Sequence, residues 1–331
     1  MPFERIKLKE PIFVFLFIFA KRETTADQLH SIDSYCQCDH AMSKFRNKID
    51  TKSLGLELGV DFIRFLTGKE HLHYGLWENN LEVCARNLIW AQEAYTHKLF
   101  SLLPNGDSLK ILDIGGGAGE TAKQLLSLGH SVSIVVPSPS LAERCAKIDH
   151  PLLKIHQTTF EDLDTTEKFD VCLFSESFQY VPLEISLNQA KTLLSEKGCI
   201  IVADCFRTTE ILQHNHEHRP VGGGHPIGCF RDEIIQQNLH VVFEEDITEL
   251  VAPSVELEQM FYTFVGHSLN RIDQDIQKSF PQVRKTIMFV IRNFINEQSR
   301  SKMVNRLHKQ DRNVQEFCKY NQYLMMVLKV K

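Results

Sequence analysis

Ten residues, Ile111 to Glu120 (ILDIGGGAGE), have the types and spacing best suited to chemistry in this chain. An apolar run ends in an acid, Asp113, and glycines follow at 115, 117 and 119, with Gly116 between the first two. Without side chains such a turn can be tight, and its main chain can lie directly against a ligand. A helix starting near Glu120 aims its unpaired N–H groups at the same loop. The chemistry this suits is the cradling of a nucleoside-containing cofactor. Gly117, Gly119 and Ala122 also satisfy the dinucleotide fingerprint GxGxxG/A, but that fingerprint expects an acid about 20 residues further on. Ser131 to Val136 (SVSIVV) instead runs into Pro137 with no acid, which disfavours a nicotinamide cofactor.

Other segments carry groups able to act on a substrate. Val221 to Gly228 (VGGGHPIG) sets His225 in a glycine-rich loop, and it is the first candidate for a general base; His73, Tyr180 and Asp204 follow it. The carboxylates could equally hold the amino end of a cofactor. In Glu70 to Glu78 (EHLHYGLWE), Tyr74 and Trp77 flank Gly75, where the chain can bend close to a ligand. His214, His216 and His218 alternate and could share one face of an extended segment, but no acidic cluster accompanies them. Cys36, Cys38 and His40 lack the second half of a zinc site. No metal is expected, and HNHEH reads as a mobile lid.

The elements that must position these groups alternate strand and helix. Strands are expected at 110–114, 131–136, 153–156, 169–181, 198–204, 240–244 and 323–330. The fold class is α/β, a doubly wound, seven-stranded, mostly parallel sheet. Two helices precede it. The first, from about Ser43, carries Leu54, Leu58, Phe62 and Phe65 or Leu66 on one face, and the second runs from about Leu81 to Leu103. The domain reading is an N-terminal extension at 1–41, a helical cap at 42–104, and a core at 105–331 that includes a helical insertion at 250–320.

Composition sets the outer limits. A chain of 331 residues, 43% hydrophobic and 24% charged, reads as ordinary globular protein, and a net charge of −5 argues against a dedicated nucleic-acid binder. That charge is uneven: residues 271–331 hold 13 Lys/Arg against 5 Asp/Glu, so they are +8 and the remainder −13. Nine cysteines without a CxxC suit a reducing cytoplasm, the expected location. Ile12 to Ala20 (IFVFLFIFA) is too short to span a bilayer and has no cleavage site before Lys21. Residues 1–41 stay open between an interfacial anchor, an extension without fixed structure and an over-long reading frame. No transmembrane span is expected, and peripheral membrane contact remains open.

DxGxGxG at a strand-to-helix turn resembles motif I of the class I S-adenosylmethionine-dependent methyltransferases. The resemblance covers roughly residues 70 to 331 and extends to the HYGxW-like segment, to FDVxxxxxxFQYV and to DITELVAP at Asp246 to Pro253. It lies nearest the small-molecule branch of tocopherol, sterol and natural-product type. It implies S-adenosyl-L-methionine as cofactor, with Tyr74 capping it and Asp113, Gly115, Gly116, Gly117 and Gly119 forming its cradle. Val136 and Pro137 would meet the ribose, Thr159, Phe160 and Glu161 the adenine. Ser175 and Glu176 would lie beside the sulfonium and Tyr180 at the mouth. Two positions depart from the pattern: Val136 stands where the family has an acid, and Thr159 where it has Asp. Each lost charge-assisted bond costs on the order of 1.5 to 3 kcal/mol.

The implied reaction is methyl transfer to an O, N or C nucleophile of a lipophilic or aromatic small molecule. The apolar residues Met260, Phe261, Phe264, Phe280, Met288, Phe289, Ile291, Phe294 and Ile295 of the insertion suit such an acceptor. The alternative keeps the fold with a degenerate cofactor site, as a cyclase, a decarboxylase or a non-catalytic partner.

Overall fold

The computed structural model describes residues 51–213, 221–294, 297–308 and 312–331. Residues 1–50, with Cys36, Cys38 and His40, and the histidines 214, 216 and 218 lie outside the described residues.

Two helices, α1 (Thr51–Thr67) and α2 (Leu88–Phe100), lead into an alternating core: β1 (Lys110–Ile114), α3 (Glu120–Ser127), β2 (Ser131–Val135), α4 (Pro139–Cys145), β3 (Leu153–His156) and β4 (Phe169–Ser175). It continues with α5 (Leu183–Leu193), β5 (Leu194–Arg207), α6 (Ile227–Gln236) and β6 (Leu239–Asp246). Then come α7 (Thr248–Val251), α8 (Pro253–Ser279), α9 (Pro281–Phe294), α10 (Glu297–His308), α11 (Val314–Tyr320) and the final strand β7 (Asn321–Val330). The sheet order is β3-β2-β1-β4-β5-β7-β6. Five strands pair in parallel, and β7 inserts antiparallel between β5 and β6, with Ala203 opposite Met325. Because helices cover both faces of the parallel part, β1 and β2 are buried at every residue after the first rather than at alternate ones.

Three elements differ from expectation. β4 ends at Ser175 and not Val181, because Glu176 turns to φ 53° and Phe178–Tyr180 form a 3-10 turn. The second helix begins at Leu88 and not Leu81, because Asn79 and Asn80 take left-handed φ of 55° and 58° and Cys84 is extended. β5 is longer than the 198–204 expected, since its far end, to Arg207, is paired by β7. On α1, Leu66 is the half-buried member of the Phe65/Leu66 choice, and Phe65 is 84% exposed.

The chain divides into two compact units, one of residues 59–263 and 310–331 and one built around 264–309. The first holds the sheet. Its core includes Leu112, Phe174, Phe178, Phe206, Phe230 and Met326, with the Phe206 and Phe230 rings stacked 4.4 Å apart. In the second, Gly266 allows a close helix crossing: a Cβ there would stand 2.6 Å from the Leu307 carbonyl oxygen.

Candidate active site

The parallel strands end in register, Ile114 beside Val135 and Val135 beside His156, so the loops after β1, β2 and β3 share one edge. That is the edge at which open α/β sheets bind ligands. Gly115, Gly117 and Gly119 adopt φ of 77°, 56° and 85°, and each glycine of the loop has its own reason to lack a side chain. A Cβ on Gly115 would press on Ser177 at 2.4 Å, and one on Gly116 would press on Asp113 Oδ2 at 2.5 Å. Gly119 caps α3 and packs on Ile148 and Cys145. Around Gly117 only Leu72, at 3.6 Å, comes within reach, so its open side is the cradle.

Asp113 is buried beneath this loop, and burial pushes its carboxyl up to about 7. Its Oδ2 has no hydrogen-bond partner among the described residues. A buried acceptor left unpaired is costly, and an N–H of a loop closing on a cofactor is a fitting partner. The cradle therefore fits a nucleoside cofactor in shape and in polar demand.

The cap segment reaches the far side of the same edge. Tyr74 N–H donates to Glu176 Oε1 at 2.7 Å. Glu176 itself sits at φ 53°, a left-handed conformation unfavourable to a side chain, and the Tyr323 hydroxyl donates to the same oxygen at 3.0 Å. Tyr323 Oη lies 2.8 Å from Tyr95 Oη, which lies 3.2 Å from Ser175 Oγ. The Ser177 hydroxyl bonds the Ile114 carbonyl, tying the end of β4 to the end of β1. Tyr95 and Tyr323 were not singled out by the sequence, although Tyr323 is the one phenol in an otherwise aliphatic closing strand. The Tyr74 ring stands edge-on to Phe317 at 6.0 Å.

Gly75 and Trp77 do not serve as expected. A Cβ on Gly75 would stand 2.5 Å from Ala91 Cβ, so the bend admits a helix and not a ligand. Trp77 is 7% exposed, and its indole N–H bonds Ser254 Oγ at 2.9 Å. Both residues lock the cap.

The candidate bases divide by what their atoms already hold. His225 Nε2 faces the carbonyls of Val181 (3.0 Å) and Phe178 (3.3 Å). Carbonyls only accept, so Nε2 carries the proton, leaving Nδ1 as the sole basic atom of the neutral ring. Burial lowers its pKa. His73 gives Nδ1–H to the Tyr74 carbonyl at 2.8 Å, with Nε2 3.0 Å from His71 Nδ1, and burial holds its pKa at about 3. It is a strut of the cap and not a proton acceptor for a substrate. Asp204 is fully buried at the end of β5, raised by burial to about 7, and takes Gln179 Nε2 at 3.0 Å and the Cys205 N–H at 2.7 Å. Tyr180, by contrast, is 63% exposed.

At the ribose and adenine positions, Val136 is 2% exposed and its N–H goes to the His156 carbonyl, while Pro137 is exposed. Thr159 Oγ1 donates to Asp162 Oδ2 at 2.9 Å. Phe160 is buried, its carbonyl accepts Gln189 Nε2 at 2.7 Å, and Glu161 is half-buried. No group of three potential metal ligands occurs among the described residues.

Residues 112–202, spanning this glycine loop and the end of β4, match the family described as Methyltransferase domain. The chain carries a class I methyltransferase domain. Over 103 residues it is 33% identical to the ubiquinone biosynthesis O-methyltransferase of Bradyrhizobium diazoefficiens, 30% of this chain and 41% of that protein. The match thus spans less than half the length of that curated relative. Among solved structures, geranyl diphosphate C-methyltransferase from Streptomyces coelicolor, bound to magnesium, a substrate analogue and S-adenosyl-L-homocysteine, superposes with a TM-score of 0.53. It is 13% identical, over 82% of this chain and 91% of the other. A (4+2) cyclase superposes with a TM-score of 0.57 at 12% identity, over 84% and 94% of the two chains. Both show that the methyltransferase domain has the Rossmann-like fold, with a seven-stranded, mostly parallel sheet.

Proposed function

We propose that this chain transfers the methyl group of S-adenosyl-L-methionine to an O, N or C nucleophile of a lipophilic or aromatic small molecule. The observation that carries the reading is the glycine loop: Gly117 leaves its outward side open, and Asp113 Oδ2, buried against Gly116 of the same loop, has no hydrogen-bond partner among the described residues. S-adenosylmethionine bound there supplies a sulfonium methyl that is already electrophilic. Tyr74 and Leu72, from the cap, close the cradle against water, and Gly115 to Gly119 fix the cofactor's orientation. Glu176, held by the Tyr74 N–H and the Tyr323 hydroxyl, is the carboxylate nearest the transfer. A general base is needed only where the acceptor must lose a proton, and His225 could take it at Nδ1 alone. The small-molecule acceptors named for the similar proteins support this acceptor class.

A second reading keeps the fold with a different reaction, such as cyclisation or decarboxylation. Val136 favours it, being a buried aliphatic residue where the family has an acid, and so does the likeness to a cyclase. The two readings part in one assay: incubation with isotopically labelled methyl donor and a panel of aromatic and polyketide phenols. Label in an acceptor supports methyl transfer. Cofactor binding with acceptor conversion but no label supports the second reading.

A further inference from the structure

Helix α9 has an outward face that the active-site account does not use. Its sequence, PQVRKTIMFVIRNF, holds three basic residues and no acid. The guanidinium of Arg284 forks onto Asp273 of α8, Nε to Oδ1 at 2.8 Å and Nη2 to Oδ2 at 2.9 Å, which fixes the rotation of α9 about its axis. Arg284, Ile287 and Ile291, at i, i+3 and i+7, are half-buried and form the inner face. A neighbouring stripe, Lys285, Met288, Phe289 and Arg292, is exposed, Phe289 by 67% and Met288 by 41%. Val283 and Val290, also exposed, lie on the other flank of the inner face, and Phe280 just before the helix is 63% exposed.

We infer that this face docks on an anionic lipid surface, with Phe289 and Met288 entering the acyl boundary and Lys285 and Arg292 meeting the headgroups. An exposed helix stripe in which cations flank large apolar side chains can lie in such an interface. Charge complementarity selects the lipid: residues 264–309, which carry α9, hold nine Lys/Arg against three Asp/Glu, a balance of +6 in a chain of net charge −5. The proposal goes beyond the methyl-transfer reading and is tested without cofactor or acceptor.

The test is sedimentation of the full chain with vesicles of phosphatidylcholine alone or mixed with phosphatidylglycerol. The wild type is expected to bind the anionic vesicles, weakly the neutral ones, and to be released by salt. Lys285→Glu with Arg292→Glu, and separately Phe289→Ser, should each lower partitioning at least about tenfold at an unchanged melting temperature. Charge reversal at the exposed Lys147 should leave binding intact. Vesicle binding undiminished in both α9 variants would overturn the assignment and move attention to residues 1–41, as would absence of binding to either vesicle. Self-association lost in Phe289→Ser, without vesicle binding, would give the face to a second copy and overturn it equally.

Discussion

The main-chain N–H of Tyr74 and the Oε1 of Glu176, 102 positions apart in sequence, are joined by a 2.7 Å hydrogen bond. Through it the cap segment is fastened to the end of β4, the place that the proposed function gives to methyl transfer. Glu176 keeps this contact at φ 53°, so part of the fold's stability is committed to holding one carboxylate.

That strain has a measurable sign. Glu176→Ala and Glu176→Gly both remove the carboxylate, but only glycine relaxes at positive φ. The glycine variant should be the more stable by about 0.5 to 1 kcal/mol in denaturant titration, the reverse of the usual order. An alanine variant as stable as the glycine one would mean that the left-handed turn is not strained.

The loop glycines should separate by role. Gly117→Val should lose cofactor binding, since its open side faces the cradle, and should cost about 1 to 2 kcal/mol of stability because a side chain at φ 56° is strained. Gly119→Val should instead destabilise the protein by about 1 to 3 kcal/mol, because Ile148 and Cys145 already occupy that space. Calorimetric binding beside thermal melting tells them apart, and unchanged cofactor affinity in Gly117→Val would contradict the open cradle.

Restoring the family's acid at position 136 should not restore a site. Val136 is 2% exposed, so Val136→Asp buries a carboxyl and should cost about 1 to 3 kcal/mol. Burial raises the folded pKa above the unfolded value near 4, so the penalty should grow as pH rises through that range. Tighter cofactor binding with undiminished stability would show that the residue reaches the ribose after all.

His73 gives the cap a pH dependence of the opposite sign. Its folded pKa is held at about 3 by burial, against about 6.5 unfolded, so the unfolded chain binds the extra proton. Its contribution is complete above the unfolded value and is lost as pH falls from about 6.5 toward 3, with a slope of up to about 1.4 kcal/mol per pH unit. Comparing wild type with His73→Gln between pH 8 and pH 5 isolates this slope from the carboxylates; equal slopes would remove the assignment.

Much of this arrangement was legible before any coordinates. Spacing located all seven strands, because each is a short Val/Ile/Leu/Phe-rich segment between helical patterns, and the glycine loop announced its turn. The limits are equally physical. Trp77 and Gly75 are cap-locking residues because Ala91 and Ser254 lie beside them, and no local pattern encodes what a distant helix brings near. The same holds for Tyr95 and Tyr323, whose hydroxyls meet Glu176 and Ser175 only when β7 inserts beside β5. His225 carries the right side chain for a base, but carbonyls of the turn at Phe178 to Val181 claim its Nε2. Sequence shows which groups exist, and packing decides which atoms are left to react.

The central claim is that the loop of Gly115 to Gly119 cradles S-adenosylmethionine. Isothermal calorimetry of the full chain with S-adenosylmethionine, its demethylated product, NAD and NADP tests it most directly, with Gly117→Val as the control. The account predicts saturable binding of the first two, a raised melting temperature, and loss of both in the folded variant. Saturable binding of a nicotinamide cofactor alone, or binding of S-adenosylmethionine unchanged by Gly117→Val, would contradict it.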